Sequence, residues 1–450
     1  MTTVAPFPAA VATKRTLTTP QILWRGLWAL WAGDALLLGL VLSAGHVQHA
    51  AMKTIGQDSA PSIIASQQIK TALADMDANA ANELIADPAT AAASVQAYSK
   101  RRREAATALI AAAQNITYGE AERIPILRIQ LELGTYEALI QRARDLHQEG
   151  DRTFISAYNQ AAQLLDGTIL PAADALDQAN LKELDAAYSG QRYQSVTTRS
   201  LVAVGALIVL IALAVVQLFL FNRTHRLINI PIFTATLLLV VFTLLTLQEL
   251  NSAARNLKRA KEDAFTSIHA LWRARAVAYA ANADESRFLL DPQHASERTQ
   301  AFYNKRDLLA KLPAGATYDS VTPNDFTGYL ADELNNITFR GEREAANETL
   351  TGFGRYVAVD GQIRDLERRG QHKQAVELCT GTAPGQSDWA FDQFDTALGR
   401  TLKINQDAFD ASIAEGFGVL RYFDLKAGIF AGVIAVLCLF GLLQRIREYQ

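Results

Sequence analysis

The sequence predicts an all-α membrane protein in which four transmembrane helices carry two tandem extracytoplasmic four-helix bundles. Three observations lead there. Four apolar runs, residues 26–45, 201–221, 230–247 and 427–443, are each about long enough to cross a ~30 Å hydrocarbon core as a helix. The pieces between them are very unequal: residues 46–200 and 248–426 are domain-sized, whereas 222–229 is a short loop. The two long pieces also repeat each other's residues at matching spacing, so they read as copies of one head.

The N-terminal tail, residues 1–25, carries Lys14, Arg15 and Arg25, and no acid precedes Asp34. The loop 222–229 carries Arg223, His225 and Arg226 without an acid, and the tail 444–450 sets Arg445 and Arg447 against Glu448. Short basic segments stay inside while long domains translocate largely regardless of charge. The expected topology is therefore a multi-pass plasma-membrane protein with both termini cytoplasmic and both heads outside. Arg255, Lys258, Arg259 and Lys261 follow the third run closely but belong to a long domain, where the rule is weakest. A cleavable signal peptide is the rival reading of the first run. Its length, Asp34, and the interfacial Trp24, Trp28 and Trp31 favour a retained anchor.

Inside the runs, Asp34 is the costly residue, at roughly 2.5–3.5 kcal/mol for an ionisable group at mid-span. Gln217, Thr234 and Thr236 lie at comparable depth, which suggests an intramembrane polar cluster that fixes helix rotation. The competing reading leaves Asp34 near the headgroups, reaching water beside Trp31.

In the first head, a helix continuing from the membrane stops at Asp87-Pro88, because proline removes a backbone donor. A second helix covers 89–113 and a third 120–148, with Ile126, Ile129, Leu133, Leu139 and Leu146 at helical spacing and Gly150 ending it. A short helical piece follows, expected to break at Gly167 and Pro171 before the last helix descends. The repeat carries this plan into the second head. Gly134, Tyr136, Arg144, Asp145, Leu146 and Gly150 match Gly354, Tyr356, Arg364, Asp365, Leu366 and Gly370. Asn115-Ile116-Thr117-Tyr118 matches Asn336-Ile337-Thr338-Phe339, Asp87-Pro88 matches Asp291-Pro292, and Gln96-Ala97-Tyr98 matches Gln300-Ala301-Phe302. Late in each head, Asn180, Leu184, Asp185 and Ala186 match Asn405, Phe409, Asp410 and Ala411. The second head has an insertion near 313–330 that is rich in turn formers and contains Tyr318, Phe326 and Tyr329. It is either a surface loop whose aromatics pack on the bundle or an extracytoplasmic docking loop.

Chemistry is sparse. The seven His are scattered, there is no Cys-x-x-Cys, no phosphate loop and no Gly-x-Ser-x-Gly turn, so neither an enzyme nor a cofactor or metal site is expected. Asp75, Asp77 and Asn79 diverge around a helix and do not form a cation site. Two cysteines, Cys379 and Cys438, cannot make a disulfide framework. A net charge of −3 argues against nucleic acid. Arg223, Arg226, Arg445 and Arg447 are either topology determinants touching anionic membrane lipid or a contact for an acidic cytoplasmic partner.

The segment Leu170-Pro171-Ala172-Ala173-Asp174-Ala175-Leu176, followed by Asn180, Leu184 and Tyr188, resembles the last helix of chemoreceptor and sensor-kinase sensory domains, as does Asn405 to Phe409. The resemblance covers residues 46–199 and 250–425. Such receptors continue into a large cytoplasmic output region, whereas this chain runs only to Gln450. Four spans with two such heads and no output domain are similar to the actinobacterial GlnX-type membrane proteins. That resemblance implies an aspartate- or glutamate-type signal, received through a GlnH-type amino-acid-binding lipoprotein outside. It implies a PknG-type serine/threonine kinase inside, controlling glutamate and 2-oxoglutarate metabolism. It assigns no contact residues and leaves room for a homo-oligomer. Direct sensing by the heads, a transport-associated subunit and a structural scaffold are the other readings.

Overall fold

A computed structural model describes residues 18–224 and 229–448. Fourteen α-helices account for nearly all of them, in chain order α1 (Thr19–Lys53), α2 (Ala60–Ile85), α3 (Pro88–Gln114), α4 (Glu120–Gln148), α5 (Phe154–Leu164), α6 (Leu170–Thr224), α7 (Ile230–Lys258), α8 (Thr266–Leu290), α9 (Ala295–Ala310), α10 (Tyr329–Asn335), α11 (Glu342–Arg368), α12 (His372–Cys379), α13 (Ser387–Leu420) and α14 (Phe423–Arg447). Among the described residues the one extended pairing is an isolated bridge, Lys311 to Thr327. Four helical runs, Thr19–Ile85, Phe154–Arg223, Ile230–Leu290 and Ser387–Arg447, contain stretches long and apolar enough to cross a membrane. The chain divides into two compact units, one of residues 1–49, 193–253 and 419–450 and one of 50–192 and 254–418.

The first unit holds the four apolar stretches. Its core is a seam of Leu27, Leu37 and Val41 against Val202, Leu213, Leu239, Ile434 and Leu442. Its outer faces expose Leu36, Ile208, Ile211, Leu218, Leu244, Ile429 and Phe440. An apolar surface of that extent is costly in water and suits lipid. Small residues let the helices approach closely. A side chain at Gly441 would meet Ile232 at 2.8 Å, and the Gly441 carbonyl accepts a 2.9 Å hydrogen bond from Asn229.

The second unit holds both heads. Helices α2 and α8 pack along each other at its centre, with Ala60, Ala74, Ala264, Ala274 and Ala278 in a shared core. They are buried almost all round, as a central helix must be. In the first head α4 presents Ile126, Ile129, Leu133, Tyr136 and Ile140 to this centre at three- and four-residue spacing. It ends in a Schellman motif: Asp151 N donates to Leu146 O at 2.9 Å past Gly150, whose φ is +75°. The second head repeats the motif, with Gln371 N on Leu366 O at 3.0 Å past Gly370.

Three π-helical turns interrupt the long helices, at Thr54–Ser59, Leu165–Ile169 and Arg259–Phe265. The second lies where a break is expected from Gly167 and Pro171. Gly167 and Pro171 do not break the last helix of the first head; α5 runs through Leu165–Ile169 into α6 without a gap. A π turn widens the helix by one residue, so proline's missing donor and its ring are accommodated without a stop.

The insertion in the second head ends α9 at Ala310, where the equivalent α3 runs on to Gln114. The chain then loops back to the Lys311–Thr327 bridge and enters α10 through Gly328, at φ +117°. A Cβ there would lie 2.7 Å from the carbonyl oxygens of Leu308 and Leu309, so only glycine closes this loop.

Candidate functional site

The repeated Asn-Ile-Thr-aromatic segments prove to be clamps. In a π turn one carbonyl loses its helical partner and needs another donor. Asn115 Nδ2 donates to Asp58 O and to Ser62 Oγ, each at 2.8 Å, at the turn Thr54–Ser59. Asn336 Nδ2 donates to Asp263 O at 3.1 Å and Ser267 Oγ at 3.0 Å, at the turn Arg259–Phe265. Glu122 Oε2 and Glu342 Oε2 hold the following loops by accepting from Thr117 N and Tyr118 N, and from Thr338 N and Phe339 N, at 2.6–2.8 Å. Arg144 stacks on Tyr98 at 4.5 Å and Arg364 on Phe302 at 4.9 Å, so these repeat anchors also mark one arrangement built twice.

A buried cation bridges the two heads. Arg287, in the last turn of α8 and 2% exposed, reaches Asp77 of α2 at 2.7 Å, Asp166 at 2.8 Å and Asp284 at 3.1 Å. Asp77, fully buried, also accepts from Tyr136 at 3.0 Å and Tyr158 at 2.8 Å. Lys305 pairs with Asp284. Burying such charges is tolerated only because each finds charged and hydrogen-bonding partners at once.

The heads also form a cleft of about 1120 Å³, lined from the first head by α2 and α3 and from the second by α8, α12 and the start of α13. On its floor Asp75 pairs with Arg101, which also donates to Tyr279 at 2.9 Å and to Glu104 at 2.7 Å. Asp388 and Asp392 also line the cleft, with no hydrogen bond or ion pair among the described residues, although Arg101 and Lys100 lie close enough to draw on Asp392. Burial, then the charges of Asp392 and Asp75, push the Asp388 carboxyl up to about 8. Burial likewise lifts Asp75 to about 6, against the pull of Arg101. Asn82, 4% exposed, lines the cleft with its Oδ1 accepting nothing. Tyr279 and Phe391, edge to face at 4.7 Å, make an apolar wall. Among the described residues no three His, Cys, Asp or Glu side chains cluster as a metal ion requires.

The residues singled out from sequence fare differently. Asp34 is buried, 7% exposed, and no hydrogen bond joins it to Gln217, Thr234 or Thr236 among the described residues. Thr236 Oγ1 bonds its own helix, to Ile232 O at 2.9 Å, and Gln217 Oε1 is buried without a partner. Asp34 thus lies among the helices of the first unit, and no hydrogen bond connects the four residues among the described ones. Arg223 and Arg447 are exposed, whereas Arg445 is not: it is 6% exposed and pairs with Glu448 at 2.7 Å, so its guanidinium offers little to a partner. Arg226 lies outside the described residues. Of the aromatics in the 313–330 loop, Phe326 is buried and Tyr318 and Tyr329 are half-buried. Tyr318 packs edge-on against Phe353 at 5.6 Å, Phe326 is 5% exposed, and the ring of Tyr329 is covered by Arg273 at 4.7 Å.

Nothing in the sequence singles out Arg287, Asp388 or Asp392, and Asp75, Asp77 and Asn79 enter it only as a cation site that is set aside. One trace was there. Glu83 and Arg287 occupy equivalent positions, each four residues before an Asp-Pro pair, and their opposite charges break the repeat. Glu83 stays within the first head, pairing with Arg144 at 2.7 Å, whereas Arg287 crosses to the other copy.

Residues 51–189, which span the first head, match the family described as the actinobacterial sensor domain. No curated protein and no solved structure matches the chain. The first head is thus similar to an actinobacterial sensor domain, in a chain that has four helices long and apolar enough to cross a membrane.

Proposed function

We propose that the chain relays an extracytoplasmic amino-acid signal of the aspartate or glutamate type, received through a GlnH-type binding lipoprotein, to a cytoplasmic PknG-type serine/threonine kinase. The observation that carries the reading is the sensor-domain similarity of residues 51–189, in a chain that builds the same clamp again in its second head. The protein would work without catalysis of its own, with both heads outside and both termini in the cytoplasm. A ligand-loaded partner that prefers one packing of the heads shifts its population, and packed helices pass on discrete shifts better than graded ones. Inside, Arg223 and Arg447 are the exposed cations available to an acidic surface or to anionic lipid.

Two measurements test this. Single cysteines at exposed head positions should react with a membrane-impermeant thiol reagent in intact cells, and cysteines in 222–229 should not. Photo-crosslinkers on the heads and in 222–229 should then capture a lipoprotein and a kinase respectively, with the first yield depending on added glutamate or aspartate. Labelling of the 222–229 loop from outside, or capture that ignores both amino acids, would end the reading. A second reading, direct sensing by the heads, is favoured by the unpaired carboxyls of the cleft.

A further inference from the structure

We propose that Glu333 and Glu342 share one proton inside the second head, and that losing it loosens the clamp on the turn Arg259–Phe265. The second head, and not the first, is then responsive to pH. The inference goes beyond the relay proposed above and needs no partner.

The two carboxyls stand on either side of the clamp segment. Glu333 is in the last turn of α10, three residues before Asn336, and Glu342 opens α11, three residues after Phe339. Glu333 is 1% exposed and Glu342 0%. Glu342 Oε2 accepts from Thr338 N at 2.7 Å and Phe339 N at 2.8 Å, while Glu333 Oε1 accepts from Asn405 Nδ2 at 3.3 Å. Their other oxygens, Glu333 Oε2 and Glu342 Oε1, are both buried without a donor. The two side chains lie within hydrogen-bonding reach of each other. Two buried acceptors so placed repel; one carboxylic acid donating to one carboxylate satisfies both.

Among the described residues neither carboxyl forms an ion pair. Toward Glu333, α8 turns the Ser267 hydroxyl, α13 the Asn405 amide and α11 the Glu342 carboxyl, while α9 adds apolar Leu309 and Ala310 to the shared core. The nearby cations are engaged elsewhere: Arg306 with Asp307 at 2.7 Å, Arg259 on the Phe339 ring at 5.4 Å and Arg273 on the Tyr329 ring at 4.7 Å. His269 of α8 pairs with Asp177 at 3.2 Å. Glu262 and Asp263 of the turn face Tyr188 of α6, and Asp332 of α10 is exposed. Burial first, and the Glu342 charge with it, hold the Glu333 carboxyl up at about 8, against the pull of Ser267 and Asn405.

The first head is an internal control. Glu122 makes the same two backbone bonds as Glu342, and Asn115 the same clamp as Asn336. Three residues before Asn115, however, stands Ala112, 2% exposed, a methyl group where Glu333 brings a second carboxyl.

When the proton leaves to water, the pair passes from one negative charge to two in a dry site without a counter-ion. Separating α10 from α11 relieves the repulsion and draws Asn336 away from Asp263 O and Ser267 Oγ. The π-turn carbonyl then loses its donor. That turn lies in the helical run Ile230–Leu290, which also contains the third apolar stretch. Glu333 holds its proton more tightly with the clamp closed than open. Its stabilisation of the clamp is therefore full below about pH 4.5 and is lost as the pH rises through about 8.

The test is hydrogen–deuterium exchange of the full chain in nanodiscs from about pH 6 to 9, read as protection factors so that the intrinsic pH dependence of exchange is removed. Protection of residues 259–267 and 336–342 should fall at least about tenfold over that range, and that of 54–62 and 115–122 by less than about threefold. Glu333→Gln keeps the shape and puts an amide donor where the shared proton was, so it should hold the second clamp at its low-pH protection throughout. Glu333→Ala copies Ala112 and should also flatten the response, from a lower starting protection. Equal pH responses in the two wild-type heads overturn the inference, as does a Glu333→Gln or Glu333→Ala chain whose second clamp responds to pH as wild type does.

Discussion

Replacing Arg287 with methionine probes the junction between the heads. Methionine keeps the unbranched stem of the side chain and removes its charge, leaving Asp77 and Asp284 buried with fewer partners. Breaking a buried ion pair from one side costs about 3–5 kcal/mol. Two compensations put this site at the lower end: Asp77 keeps its donors Tyr136 and Tyr158, and Asp284 keeps Lys305. The expected loss is therefore about 3 kcal/mol. At roughly 2 °C per kcal/mol for a unit of this size, the Tm should fall by about 6 °C. Thermal unfolding of the full chain in detergent, followed by circular dichroism, measures it. Adding Asp77→Asn removes the stranded charge and should recover about 1–2 kcal/mol, since contacting residues couple by amounts of this order. A single-variant loss below about 1 kcal/mol, or no recovery in the double variant, would refute the account of a charge network tying the copies together.

Three further outcomes follow from the same structure. Asn115→Ala and Asn336→Ala each strand a π-turn carbonyl and should cost about 1–3 kcal/mol, with faster amide exchange confined to residues 54–62 and 259–267 respectively. Gly328→Ala should destabilise by about 1–3 kcal/mol, because its φ of +117° and two carbonyl oxygens leave no room; denaturant titration reads it, and a neutral result would mean the loop closes otherwise. Asp388 holds its proton more tightly folded than unfolded, so its contribution is full below about pH 4 and is lost as the pH rises through about 8. Wild-type stability should accordingly fall between about pH 4 and 8 by up to about 1 kcal/mol per unit more than that of Asp388→Asn, and level off above that, measured as Tm against pH.

How much of this the sequence discloses depends on the range of the interaction involved. The third helix is legible to the residue, as Glu120–Gln148, because a local glycine ends it and local spacing marks its face. The expected break at Gly167 and Pro171 fails because a π turn is also local but leaves no signature of its own in composition. The Asn-Ile-Thr segments are visible as a repeat, yet their task is not, since Asn115 clamps a turn more than fifty residues earlier. Arg287 and Asp77 are 210 residues apart, and nothing local to either announces the pair. The cleft is harder still, because its walls come from both copies and its character lies in which carboxyls lack a cation. The loop aromatics Tyr318 and Phe326 show the converse limit: turn formers locate a loop, but which way its rings point is decided by the surface beneath it, here Phe353 and Gly354.

The sign reversal between Glu83 and Arg287 has a consequence for interchangeability. Equivalent sites of opposite polarity make the copies complementary, like the two halves of a keyed connector. A chain carrying the first head twice would set Glu83 where Arg287 now meets Asp77, carboxylate against carboxylate; one carrying the second head twice would offer Arg287 an alanine, Ala281, in place of Asp77. Duplication has thus produced two parts that cannot substitute for each other, and either one grown alone would expose a seam shaped and charged only for its sibling.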